Sequence, residues 1–120
     1  MKLAITATGQ DLDADLDPRF GRCNFFIFID PDTMDFVAVS NNASAGGAGI
    51  AAGQMVVKYG AKVVLTGDCG PNAFQVLSAA DVDVYTGVSG KVKDVINNFK
   101  AGKYKTISKP SVRTHHGQAA

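Results

Sequence analysis

The sequence predicts one α/β domain in which helices cover both faces of a five-stranded mixed sheet, and three observations carry that prediction. Asn24-Phe25-Phe26-Ile27-Phe28-Ile29-Asp30 is an apolar run of strand length, suited to a strand buried on both faces. A Pro- and Asp-bearing turn, Pro31-Asp32-Thr33-Met34-Asp35, separates it from Phe36-Val37-Ala38-Val39, so the two runs read as an antiparallel hairpin. From Ala48 onward, helical patterns alternate with short apolar runs, as they do in βα units laid over a parallel sheet.

The elements follow in order. Residues 2–7 form a first strand, and the hairpin supplies the second and third. Ala48 to Tyr59 reads as a helix with small residues on one face, closed by Gly60 as a C-cap. Lys62-Val63-Val64-Leu65-Thr66 is a fourth, buried strand. Pro71 suits the first turn of a second helix, whose inward face carries Phe74, Leu77 and Ala80. Val82-Asp83-Val84-Tyr85 is the last strand, and Val92, Val95, Ile96 and Phe99 mark an amphipathic third helix at spacings i, i+3, i+4 and i+7.

The element order is therefore βββαβαβα. Right-handed crossovers place the strands in the order 3-2-1-4-5 with strand two running against the others, a ribonuclease H-like three-layer arrangement. At 120 residues the chain fits one domain, taken as residues 1–101, with a peripheral, partly flexible tail over 102–120. The hydrophobic fraction of 46% and charged fraction of 19% exclude a disordered chain. Met1-Lys2-Leu3-Ala4 leads directly into a strand without the zones of a signal peptide, and no apolar run reaches membrane-spanning length, so a cytoplasmic location is expected. In that compartment Cys23 and Cys69 are expected to be free thiols. Lys91, Lys93, Lys100, Lys103, Lys105, Lys109 and Arg113 face one acid, Asp94, across the last thirty residues; that basic face suits a protein partner better than nucleic acid, because few aromatics interleave it.

Ligands of such sheets bind beyond the carboxyl ends of the parallel strands, where the connections change direction. Loops 8–23, 40–48, 66–72 and 86–90 meet there. Asp17-Pro18-Arg19-Phe20-Gly21-Arg22-Cys23 brings two guanidinium groups to a thiol. Arginine forks two donors onto an oxyanion or, more weakly, a sulfide edge, and a nearby cation favours the thiolate of Cys23. On the alternative reading the arginines pair with the local aspartates and Cys23 belongs to the core. Gly46 and Gly47 open the first helix, and Gly70 and Asn72 the second, so two sets of unpaired N–H groups would face one crevice and favour an anion.

Other chemistries are excluded by what the motifs lack. The alternating carboxylates of Asp11, Asp13, Asp15 and Asp17 start like a calcium loop, but Leu16 stands where the turn glycine belongs and Arg22 where the bidentate glutamate belongs. A metal-dependent nuclease on this fold needs carboxylates on the central strands, and the first strand offers Leu3, Ala4, Ile5 and Thr6. There is no Ser-His-Asp set and no glutamate in the chain, so a non-enzyme is expected. His115 and His116 stand in the tail, which would have to reach back to a site for them to touch a metal. A flavodoxin-like loop at Thr6-Ala7-Thr8-Gly9-Gln10-Asp11 is disfavoured, because a hairpin replaces the first crossover helix.

Three segments together, Asp17 to Cys23, Gly47-Ala48-Gly49-Ile50-Ala51-Ala52 and Thr66-Gly67-Asp68-Cys69-Gly70-Pro71-Asn72-Ala73-Phe74, resemble the dinitrogenase iron-molybdenum cofactor binding and biosynthesis family over residues 1–101. The resemblance implies a ribonuclease H-like fold and the binding or delivery of a metal-sulfur cluster. Some small stand-alone members, the orange proteins, hold a mixed molybdenum-copper sulfide cluster. The implied function is a non-catalytic carrier of a polyanionic, molybdenum-containing metal-sulfide cluster, either molybdenum-copper or iron-molybdenum in type. Arg19, Arg22, Cys23, Gly46, Gly47, Gly70 and Asn72 are the expected cluster-binding residues, with Cys23 as the candidate metal ligand. Nitrogenase-cofactor carriers often use a histidine near the site, whereas this chain has none before His115, which favours the heterometallic sulfide cluster.

Overall fold

A computed structural model of the chain describes residues 1–41 and 48–106. Five strands and three helices appear in the expected order: β1 (Leu3–Ala7), β2 (Phe25–Ile29), β3 (Phe36–Ser40), α1 (Ala48–Lys58), β4 (Val63–Leu65), α2 (Pro71–Ala79), β5 (Asp83–Tyr85) and α3 (Val92–Lys100). They form one sheet of order β3-β2-β1-β4-β5. β2 lies antiparallel to both β1 and β3, while β1, β4 and β5 are parallel. The expected topology is therefore the observed one.

Side-chain alternation along the strands builds two cores. Ala4, Phe26, Phe28, Val64 and Val84 point to one face and pack against Ala52 and Val56 of α1 and against Ala73 and Leu77 of α2. Leu3, Ile5, Ile27, Ile29, Val63 and Leu65 point to the other and meet Val92, Val95 and Ile96 of α3. β1 and β4 are buried throughout, because helices cover both of their faces. Phe28 stacks on Tyr59 at 4.5 Å between centroids, and Phe20 meets Phe26 edge-on at 5.4 Å, which ties the first long loop to the α1–α2 side.

Local chemistry sets the helix limits. Gly60 adopts φ +77°, its N–H donates to Val57 O and the Ala61 N–H donates to Val56 O, which together close α1 as a Schellman motif. α2 starts on Pro71 as expected, but its buried face is Ala73 and Leu77, with Phe74 and Ala80 only partly covered. The difference arises because α2 packs closely on α1. A Cβ on Gly53 would lie 3.0 Å from Val76 Cγ1, so the small residues of α1 admit the second helix and shift its contact stripe. Beyond α3, Tyr104 packs on the second core and accepts a hydrogen bond from Asn98 at 3.3 Å, and Thr106 bridges to Tyr85 on the outer edge of β5.

Candidate functional site

The crevice lies beyond the carboxyl ends of β1 and β4, and buried hydroxyls organise its floor. Thr6 Oγ1 donates to Asp17 O at 2.6 Å and lies 3.0 Å from Thr66 Oγ1, while the Asp17 N–H returns a bond to Thr6 O at 2.9 Å. The loop after β1 is thereby folded back over the strand ends. It is then strapped to the loop after β4: the Asp68 N–H donates to Pro18 O at 2.8 Å, and the Phe20 N–H donates to Asp68 O at 3.3 Å. Only glycine fits beneath this strap, since a Cβ on Gly67 would come within 2.6 Å of Pro18 Cα.

Above the floor, two helix N-termini meet. A Cβ on Gly49 would touch Ala73 N and Cβ at 3.4 Å, and one on Gly21 would lie 3.1 Å from both Gly49 Cα and Gly49 N. The arginine-bearing loop, the first turn of α1 and the first turn of α2 thus abut through backbone. Between them is a cavity of about 310 Å³ lined by Arg19, Gly21 and Arg22 from the loop, Ala48 and Gly49 from α1, and Gly70 to Ala73 from α2. Gly70 caps α2 in an extended conformation without a side-chain hydrogen bond. Pro71 has no N–H, so the Asn72 and Ala73 amides are the first-turn donors of α2 that can turn to a ligand.

The two arginines differ. Arg19 is paired: Nε donates to Asp17 Oδ1 and Nη2 to Asp17 Oδ2, each at 3.1 Å, and this hydrogen-bonded carboxylate holds its guanidinium above the ordinary pKa. Arg22 is exposed and, among the described residues, has no ion-pair partner. The pairing read as the alternative therefore holds for Arg19 and not for Arg22. Cys23 follows the alternative reading and belongs to the core. Its side chain is buried and does not line the cavity, and its thiol is pushed up to about 12, chiefly by burial and further by the Asp17 charge. Burial thus favours the neutral thiol, with desolvation outweighing the neighbouring cation. Cys69 is likewise buried, and burial pushes its thiol up to about 12; neither cysteine forms a disulfide.

Of the residues expected at the site, Arg19, Arg22, Gly70 and Asn72 come together on the cavity wall. Gly46 and Gly47, like His115 and His116, lie outside the described residues. Gly21 and Gly49, which belong to the quoted segments but not to the expected binding residues, also line the cavity. Their signal is glycine at the two places where backbone meets backbone, which becomes visible only once the loop is folded. The alternating aspartates serve separate ends: Asp11 turns the loop by accepting the Asp13 N–H, Asp13 pairs with Lys93 at 2.8 Å, and Asp17 holds Arg19. No group of three or more metal-ligating side chains occurs among the described residues.

Fold and crevice define a three-layer α/β domain with a pocket of arginine, glycine and two helix N-termini at the carboxyl ends of its parallel strands. The chain belongs to the dinitrogenase iron-molybdenum cofactor family, whose model matches residues 1–102. It is similar to the orange protein from Desulfovibrio gigas, solved in its apo form, with 40% identity and a TM-score of 0.89 over 92% of this chain and 96% of that one. A protein from Thermotoga described as a candidate NifB protein has 31% identity and a TM-score of 0.81, covering 94% of this chain and 98% of its own. An uncharacterised protein of Methanocaldococcus jannaschii is 26% identical over 108 residues, 86% of this chain and 88% of its own. No helix among the described residues is long and apolar enough to cross a membrane.

Proposed function

We propose that the chain is a non-catalytic carrier of a polyanionic metal-sulfide cluster that contains molybdenum, with copper as the second metal. The observation that supports this most is the meeting of two helix N-termini at Gly49 and Ala73 beside Arg22, a guanidinium with no carboxylate partner among the described residues. Helix N-termini and a free guanidinium all favour negative charge, and a wall of glycine backbone lets a bulky cluster approach the amides. The cavity of about 310 Å³ suits a compact inorganic anion better than a nucleotide cofactor. Similarity to the orange protein from Desulfovibrio gigas supports the molybdenum-copper assignment over an iron-molybdenum cargo.

In this reading Arg22 forks onto a sulfide edge, the Asn72 and Ala73 amides contact the opposite side, and Arg19, already committed to Asp17, contributes its outward N–H groups. Gly46 and Gly47 would add donors ahead of α1. Cys23 would ligate metal only after losing its proton, which its burial opposes, so retention rests on charge and backbone donors. The exposed lysines at positions 91, 93, 100, 103 and 105 offer a dock for an acidic protein partner in loading or delivery.

Anaerobic reconstitution with tetrathiomolybdate and copper(I), followed by gel filtration, metal analysis and visible absorption, tests the proposal. A stoichiometric coloured holoprotein is expected. A charge-assisted hydrogen bond contributes roughly 1.5–3 kcal/mol, so Arg22→Ala should loosen the cluster about tenfold or more, and Cys23→Ser should do less. Failure to form a stoichiometric complex, or undiminished retention by Arg22→Ala, would overturn the electrostatic cradle.

A further inference from the structure

We propose that Asn41 is a positioning residue for Arg22 and, through it, for anion capture; the second step rests on the carrier reading above. Asn41 follows β3 directly. Its Nδ2 donates to Gly21 O at 3.1 Å and to Cys23 O at 3.0 Å, and lies 3.6 Å from Cys23 Sγ. These are the carbonyls of the two residues that flank Arg22. The Asn41 main-chain N–H adds a third bond, to Asn24 O at 3.0 Å. Carbonyl acceptors on this side require the amide nitrogen, not its oxygen, to face the loop, so the orientation of the Asn41 side chain is fixed by chemistry.

The loop is also held from the other side, where Gly21 packs 3.1 Å from the Gly49 backbone, measured from its ideal Cβ position. Arg22 therefore projects from a segment gripped between the end of β3 and the first turn of α1. This matters because Arg22, unlike Arg19, has no carboxylate among the described residues to hold its head group. Its side chain is long and rich in rotamers, so the order it brings to a ligand comes from its backbone. An asparagine reaching across from β3 supplies that order without adding negative charge to an anion site, which an aspartate could not do.

Two arms test this. In the first, amide ¹⁵N relaxation is compared between the parent and Asn41→Ala, with Asn41→Ser, which retains one donor, replacing it if the alanine variant does not fold. Heteronuclear NOE values at Arg22 and Cys23 should fall while those of Val64 and Val84 stay unchanged; unchanged values at Arg22 and Cys23 would refute the positioning role. In the second arm, tetrathiomolybdate binding is measured by equilibrium dialysis for the parent, each single variant and the Asn41→Ala/Arg22→Ala double variant. Asn41→Ala should weaken binding by up to about tenfold, and the double variant should lose less than about twofold beyond Arg22→Ala, because the two residues act as one unit. Additive losses would show that Asn41 acts by a separate route and would end the proposal. Should the parent itself bind no tetrathiomolybdate, the carrier reading falls, and the relaxation arm still decides whether Asn41 orders Arg22.

Discussion

Arg19 lies edge-on across the carboxylate of Asp17, with Nε on Oδ1 and Nη2 on Oδ2, both at 3.1 Å, while its own main-chain N–H donates to Oδ1 at 3.0 Å. The carboxylate is almost fully buried at 1% exposure, whereas the guanidinium is 59% exposed. Asp17 therefore depends on Arg19 for satisfaction, while Arg19 spends much of its charge locally. Two arginines that look equivalent in the sequence and share the cavity wall differ in pairing, one holding the loop through Asp17 and the other without a carboxylate partner among the described residues.

That division predicts opposite signatures for the two alanine variants. Arg19→Ala should lower thermal stability clearly, since it strips a buried carboxylate of its side-chain donors, and should weaken cluster retention less than Arg22→Ala does. Arg22→Ala should leave the melting temperature close to that of the parent. Calorimetry and metal retention measured on the same two variants check both halves, and equal effects on both readouts would contradict the division.

The close backbone contacts predict a graded series of glycine variants. Gly67→Ala would place a Cβ 2.6 Å from Pro18 Cα, so it should be the most damaging, at about 3 kcal/mol or more. Gly21→Ala, opposed by Gly49 backbone at 3.1 Å, should cost about 1–3 kcal/mol and also close part of the cavity. Gly53→Ala meets the Val76 side chain at 3.0 Å and the Ala73 carbonyl only at an ordinary contact distance of 3.6 Å, so it should be milder. Urea unfolding at one pH orders the three.

Thr6 and Thr66 predict a coupled pair. Both are fully buried, and Thr6 satisfies the Asp17 carbonyl at 2.6 Å while lying 3.0 Å from the Thr66 hydroxyl. Thr6→Val should therefore cost about 1–3 kcal/mol, because it leaves that carbonyl and the Thr66 hydroxyl in want of a partner. The Thr6→Val/Thr66→Val double variant should lose less than the sum of the singles, as a double-mutant cycle in urea would show.

The buried thiols predict a pH dependence. Cys23 and Cys69 are both pushed up to about 12 in the folded chain, above the usual thiol value of about 8.5 expected on unfolding. Between those values the folded state binds more protons than the unfolded state, so stability is intact below about pH 8.5 and declines as pH rises toward 12. Urea midpoints from pH 7.5 to 10.5 should fall for the parent and fall less for Cys23→Ala/Cys69→Ala. Native protein should react slowly with a thiol reagent, and denatured protein should show two thiols with or without reductant.

Much of this molecule is determined by sequence alone, because its signals are local. The Phe25–Ile29 run, the Pro31–Asp35 turn and the Val92-Val95-Ile96 stripe each state an element and a buried face within a few residues, and handedness then leaves few ways to order five strands. The loops that gather at the carboxyl ends follow from that topology, which is why Arg19, Arg22, Gly70 and Asn72 could be placed at one crevice from sequence. What only the tertiary structure decided is which side chains meet and how deeply each is buried. Whether Arg19 or Arg22 keeps its charge free depends on which one reaches a carboxylate. Whether Cys23 is a thiolate depends on how deeply the first core buries it, since desolvation works against the cation beside it. That Asn41 holds the backbone on both sides of Arg22 depends on β3 ending next to residues about twenty positions earlier. Periodicity and turn chemistry name the elements, whereas the fold decides which of two nearby arginines turns to the carboxylate of Asp17 and brings the Asn41 amide within 3.1 Å of carbonyls about twenty residues earlier.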